Sequence, residues 1–199
     1  MKEKFINSSM SIIQNNRQLS NKEINKMRYG LEGLYLTITK MIIIFFLAII
    51  LGIFKEVIIL LILFNVIRYT AFGVHAKRSI DCLISSSLFF IGFPMLCIYL
   101  HIPLIVKIII FIPIITLMSI YAPSDTVKRP LNDKKRRIIY KSLSVFISIV
   151  YMVLSLLIKD NFLSNAFIFS LVIEVIVILP ITYKIFGVPY NNHKNKETN

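Results

Sequence analysis

Between residues 41 and 186 the chain passes through six long apolar stretches, at 41–54, 57–73, 83–100, 104–121, 143–158 and 166–186, parted only by short polar gaps. A chain of 199 residues with 56% hydrophobic content carries more apolar surface than a soluble domain of its size can bury, so its solvent is the bilayer. The expected fold class is therefore all-α: a polytopic membrane protein of about six transmembrane helices preceded by N-terminal amphipathic helices. A single integral membrane domain, 1–199, is expected. Residues 1–40 form a cytoplasmic or interfacial amphipathic region, 41–187 the transmembrane core and 188–199 a cytoplasmic tail.

The first stretch is short, about 21 Å as a helix, and needs the preceding turn, a thinned bilayer or a re-entrant path. Running 41–67 as one tilted helix instead would bury Lys55 and Glu56 in mid-bilayer. Ahead of it, Ser20 and Glu23 make a capping box, and Ile24, Met27, Leu31, Leu34, Tyr35 and Ile38 then recur at helical spacing. Lys22, Lys26 and Arg28 rim this apolar face, which suits either anionic lipid or the protein's own helices. No secretory signal is expected, because the first long apolar run starts only near Met41 and no small-residue cleavage site follows.

The formal charge of +13 is spread through the gaps rather than gathered on one face, which points to topology and away from nucleic acid. Under the six-span reading, 20 of the 23 Lys and Arg residues fall on one side, leaving only Lys55, Lys107 and Lys159 on the other. Both termini and the segment around His75 are therefore expected on the cytoplasmic face.

That segment, RYTAFGVHAKRSIDCL at 68–83, gathers arginine, glycine, histidine, acid and cysteine at the membrane edge. A thiolate nucleophile needs a nearby base or a positive potential, and His75 can supply the base for Cys82. Ordinary packing of the two side chains is the alternative. On an unbroken helix, residues seven apart stand about 10.5 Å apart along the axis and cannot share a hydrogen bond. A dyad within one chain thus requires a bend, which Gly73 permits. Ser79 is expected to cap a new helix, so that its N-terminus favours the Cys82 thiolate. Arg68 either snorkels as a topology marker or grips a substrate carbonyl or carboxylate. Asp81 orients His75 or favours the helix start. Glu174, inside the last apolar run, needs a partner, and Arg68 is a candidate for an internal ion pair.

Cys97 reads as a buried span residue, and both cysteines as thiols. His101 and His193 stand far from the segment, so no metal is expected, nor any other cofactor. The loop at 122–141 joins two prolines to a basic cluster that includes Lys128 and Arg129. It serves as a topology anchor or as a landing site for an acidic peptide.

Three segments in order, YGLEGLYLTITK at 29–40, R-x4-G-x-H-x6-C at 68–82 and YAPSDTVKRPL at 121–131, resemble the accessory gene regulator B (AgrB) family of membrane endopeptidases of Gram-positive quorum sensing. The resemblance implies a cysteine endopeptidase that cleaves the C-terminal part of a short AgrD-like pro-peptide and helps cyclise the rest into a thiolactone or lactone signal. It implies Cys82 as nucleophile and His75 as its partner. It also marks Arg68 and Gly73 as required, and Asp81, Lys128 and Arg129 remain candidate substrate or transition-state contacts. The implied partners are the pro-peptide and membrane lipid, without nucleic acid; a homodimer is compatible. A rival reading is a small non-enzymatic transporter or scaffold in which Arg68 and Glu174 mark a pathway, although no internal repeat supports it. A third is a basic lipid-binding membrane protein, for which loop charge would matter and Cys82 would not.

Overall fold

A computed structural model describes residues 2–16, 20–74, 79–126 and 131–190. Every regular element described is helical. The chain divides into two compact units, Met1–Leu47 and Ala48–Asn199.

In the first unit, α1 (Lys2–Asn16) lies along the start of α2 (Asn21–Ile50), held by Phe5 against Tyr35 at 5.5 Å between ring centres and by Arg28 paired with Glu3 at 3.0 Å. Both partners of that ion pair are exposed, so it fixes orientation more than it stabilises. The capping box forms as expected: Glu23 Oε2 accepts from the Ser20 amide and hydroxyl, each at 2.9 Å. Where the sequence reading ends an amphipathic region at residue 40 and begins a span at 41, α2 runs on without a break for 30 residues. The short first span is thereby lengthened toward the N-terminus, and the candidate membrane helix is Glu23–Ile50. Leu34, Ile38, Ile42 and Phe46 stand exposed along it at every fourth position, an apolar stripe suited to lipid.

In the second unit, Gly52 (φ +70°) stops α2, with the Ile53 amide reaching back to the Ala48 carbonyl at 2.9 Å. Lys55 and Glu56 consequently open α3 (Phe54–Ala71) instead of being buried mid-helix. The third stretch becomes α4 (Ser79–Ser87), a π-helical turn at Leu88–Gly92 and α5 (Phe93–Tyr99). Pro94 lacks the amide that a regular helix would use there, and the widened turn just before it absorbs the misfit. Next come α6 (Leu104–Tyr121), α7 (Lys134–Leu157) and α8 (Asn161–Ile178). Asp133 caps α7 through the Lys135 amide at 2.9 Å, and Asp160 caps α8 through the Leu163 amide at 2.7 Å. The expected last span at 166–186 is interrupted: α8 ends at Ile178 and Pro180 opens a short α9 (Pro180–Ile185).

Five of these helical stretches are long and apolar enough to cross a membrane; α3 has 18 residues as well but carries Lys55, Glu56 and Arg68. The polytopic all-α architecture follows. Twelve of the 18 residues of α8 are buried, which makes it the central helix, with α3, α5, α6 and α7 packed around it. The face of α7 turned inward is made of Ser144, Ser148, Tyr151 and Ser155, and the three serines are small enough to let backbones approach closely without hydrophobic drive. Ser155 and Ser164 exchange hydrogen bonds between α7 and α8, and Tyr151 Oη donates to the Leu63 carbonyl of α3 at 2.9 Å.

Candidate active site

The Arg-x4-Gly-x-His-x6-Cys segment begins one turn before the end of α3. There the chain leaves the helix abruptly: Phe72 has φ 62° and ψ −126°, a conformation that costs a bulky residue energy, and Gly73 follows at φ 109°. Surrounding contacts hold this kink. The Gly73 amide donates to the Ser124 carbonyl at 2.9 Å, the Ser124 amide to the Ala71 carbonyl at 2.9 Å, and the Val74 amide to the Val177 carbonyl at 3.0 Å. Phe72 and Ser124 thus form a parallel bridge, and the Phe72 ring rests on Tyr140 at 5.1 Å. Ser124 Oγ donates to the Ile178 carbonyl at 3.2 Å, and Tyr183 Oη donates to the Ser124 carbonyl at 2.9 Å.

Arg68 closes the arrangement. One guanidinium nitrogen, Nη2, donates to the Val74 carbonyl at 2.8 Å, and the other, Nη1, lies 3.5 Å from Glu174 Oε1. The side chain is 15% exposed and that of Glu174 is 0% exposed, so the internal ion pair expected from the sequence is present and lies inside the protein. The guanidinium also faces the Phe64 ring at 5.9 Å. It passes directly over Gly73, where an added Cβ would collide with Nη1 and come within 3.0 Å of the Val177 carbonyl oxygen. The spacing between Arg68 and Gly73 has a steric reason: only a residue without a side chain leaves room for the arginine that holds its neighbour.

Val74 is the last described residue before His75, which lies outside the described residues, as do Lys128 and Arg129. The chain resumes at α4, which starts at Ser79, so Ser79 is its first helical residue rather than the cap expected from the sequence, and Cys82 falls in the first turn. Cys82 and Asp81 are both half-buried. Their carbonyls accept from Ser85 Oγ, Asp81 at 2.7 Å and Cys82 at 3.3 Å. Cys97 is buried on α5, as expected of a span residue, and its carbonyl accepts from Asn165 Nδ2 at 3.1 Å. Among the described residues, no three His, Cys, Asp or Glu side chains come together as a metal site.

Residues 6–178 match the family described as Accessory gene regulator B. The chain belongs to the AgrB family. An AgrB-like protein of Clostridium acetobutylicum is 36% identical over 171 residues, covering 86% of this chain and 82% of that protein. The accessory gene regulator protein B of Staphylococcus aureus is 30% identical over 180 residues, 89% of this chain and 93% of its own. That of Staphylococcus epidermidis is 30% identical over 193 residues, 96% and 97%. No solved structure matches. The span matched to AgrB contains Arg68, Gly73, Cys82, Ser124 and Glu174, so the whole clamp lies within it except Tyr183.

Ser124 and Tyr183 are the supports that reading the sequence misses. Ser124, Asp125 and Thr126 look like polar loop residues but are buried, and Ser124 bonds the open backbone groups at the ends of α3 and α8. Tyr183→Phe leaves the Ser124 carbonyl with the Gly73 amide as its remaining donor and is expected to cost about 0.5–1.5 kcal/mol, which thermal unfolding in detergent measures.

Proposed function

We propose that the chain is a cysteine endopeptidase of the cell membrane that processes a short AgrD-like pro-peptide for quorum sensing. The observation that supports this best is the clamp on Val74: the residue leading into His75 is fixed by two hydrogen bonds, and Cys82 opens the next helix with its side chain half-exposed. A rigid approach to a base followed by a thiol in a helix's first turn is the preorganisation that covalent catalysis needs.

In this reading His75 takes the proton from Cys82 Sγ, and the thiolate attacks the scissile carbonyl. The tetrahedral intermediate collapses, the imidazolium protonates the departing amine, and the C-terminal fragment leaves an acyl-thioester on Cys82. A Cys or Ser side chain of the bound peptide then attacks that thioester, its proton passes to His75, and Cys82 is released as the ring closes. No ATP is needed, since the acyl group never falls to the carboxylate; enclosure must keep water away. Residues 41–187 form the membrane core that carries the site, with both termini and the site on the cytoplasmic face, in keeping with the bias of Lys and Arg. Lys128, Arg129 and the basic start of α7 draw the acidic end of the substrate, while lipid concentrates its amphipathic leader.

A pro-peptide whose ring-closing nucleophile is replaced by alanine tests the acyl-enzyme. It is expected to be cleaved once and to leave the N-terminal fragment on Cys82 as a hydroxylamine-labile adduct visible by intact-protein mass spectrometry. Cleavage with Cys82 still fully alkylatable throughout overturns the reading.

A further inference from the structure

Glu174 stands apart from the sequence motif, on the central helix and fully buried, with neither carboxylate oxygen making a hydrogen bond within the described residues. Among the described residues its charge meets the Arg68 guanidinium, 3.5 Å away. Such a pair is a poor source of stability, because removing two charges from water costs about as much as their attraction returns. It is better understood by what it holds in place. Arginine stays charged in proteins, and an arginine in an apolar span extends toward the nearest water unless something inside retains it. Here Arg68 points inward and its other nitrogen carries the Val74 carbonyl.

We propose that Glu174 is a positioning residue for the peptidase reaction: its carboxylate keeps Arg68 folded over Gly73, Arg68 keeps the Val74 carbonyl, and the chain therefore enters His75 from one fixed point. This rests on the reading of Cys82 and His75 as the reacting pair. Glu174 itself touches no substrate. Without its negative charge the guanidinium turns outward and the Val74 carbonyl loses its charged donor, so that Val74 keeps its amide bond to Val177 but no hold on the carbonyl that leads into His75. The base then samples more positions, and the thiol loses part of its activation.

The test uses the full chain in lipid vesicles on a Cys97→Ala background, so that Cys82 is the one thiol. Two quantities are read: the pH dependence of Cys82 alkylation, and the kcat and KM of pro-peptide cleavage. Glu174→Gln, equal in shape and without charge, is expected to raise the alkylation midpoint by about one pH unit and to lower kcat at least about tenfold, with KM within about twofold. Glu174→Asp, which keeps the charge but withdraws it by one methylene, is expected to lie between wild type and Gln. A role confined to packing α3 on α8 would lower thermal stability and leave the alkylation profile of the folded protein unmoved. An unmoved profile and kcat in both variants overturn the proposal, as does an unmoved Asp variant if the Gln variant does not insert. Loss of cleavage in Cys82→Ala alongside an unaffected Glu174→Gln overturns the positioning role alone. Cleavage that survives Cys82→Ala instead removes the peptidase reading beneath it.

Discussion

Cys82→Ala is expected to abolish both cleavage and ring closure, leaving full-length pro-peptide in cells that make the variant at normal levels. Both outcomes fail together if, as proposed, one acyl-thioester serves both steps: no fragment is released without it, and no activated acyl group is left for the ring. His75→Ala removes the proton acceptor but leaves the thiol in the first turn of α4, so a residual rate about 10²–10⁴-fold below wild type is expected, recovering in part as pH rises and more thiolate forms unaided. Cys97→Ala supplies the control. That side chain is buried on α5, and its backbone carbonyl rather than its sulfur engages Asn165, so processing is expected to continue at close to the wild-type rate. Co-expression with the pro-peptide and quantification of both fragments separates the three variants. Unchanged processing by Cys82→Ala would exclude covalent catalysis at this residue.

Gly73→Ala is expected to have the next largest effect, although it adds a single methyl group. Alanine at φ 109° is strained by about 1–3 kcal/mol, and the methyl would stand where Arg68 Nη1 now lies and 3.0 Å from the Val177 carbonyl oxygen. The arginine can move more easily than the backbone of α8. In moving it gives up the Val74 carbonyl and its approach to Glu174, leaving a buried carboxylate uncompensated. Processing is expected to fall at least about tenfold in protein that still inserts. Arg68→Ala by itself removes the Val74 contact and leaves the Glu174 carboxylate uncompensated. If the methyl acts by displacing the guanidinium, the two changes share one cause, and the double variant Arg68→Ala with Gly73→Ala is expected to lose less thermal stability than the sum of the two single variants, without recovering activity. Strictly additive losses would show that the collision is not the cause.

Much of this arrangement could be anticipated from the chain. A histidine and cysteine seven apart can share a hydrogen bond only if the chain bends between them; α3 ends abruptly ahead of His75, α4 starts at Ser79, and residues 75–78 lie outside the described residues. A carboxylate inside an apolar run demands a cation, and Arg68 was the nearest in kind. What could not be anticipated depends on contacts between distant positions. The role of Gly73 emerges only once the guanidinium is seen above it, and Ser124 looks like any polar loop residue until the orphaned amides and carbonyls around it are counted. The continuity of α2 was hidden by composition: the basic residues of its first half suggest an interfacial helix and the apolar second half a span, yet nothing between them breaks a helix. The interruption at Leu179 follows from Pro180, a residue whose effect is local and therefore legible.

The position of Glu174 on the last long helix also bears on biosynthesis. Helices enter the membrane in the order in which the ribosome makes them, and Arg68 is delivered about a hundred residues before its counter-charge exists. Until α8 inserts at the centre of the bundle, α3 carries an unmatched cation and the Val177 and Ile178 carbonyls that pin Val74 and Ser124 are not yet present. A nascent or truncated chain thus carries the 68–82 segment without the contacts that fix Val74 and Ser124. Assembly order itself completes the frame around that segment only when α8 is in place.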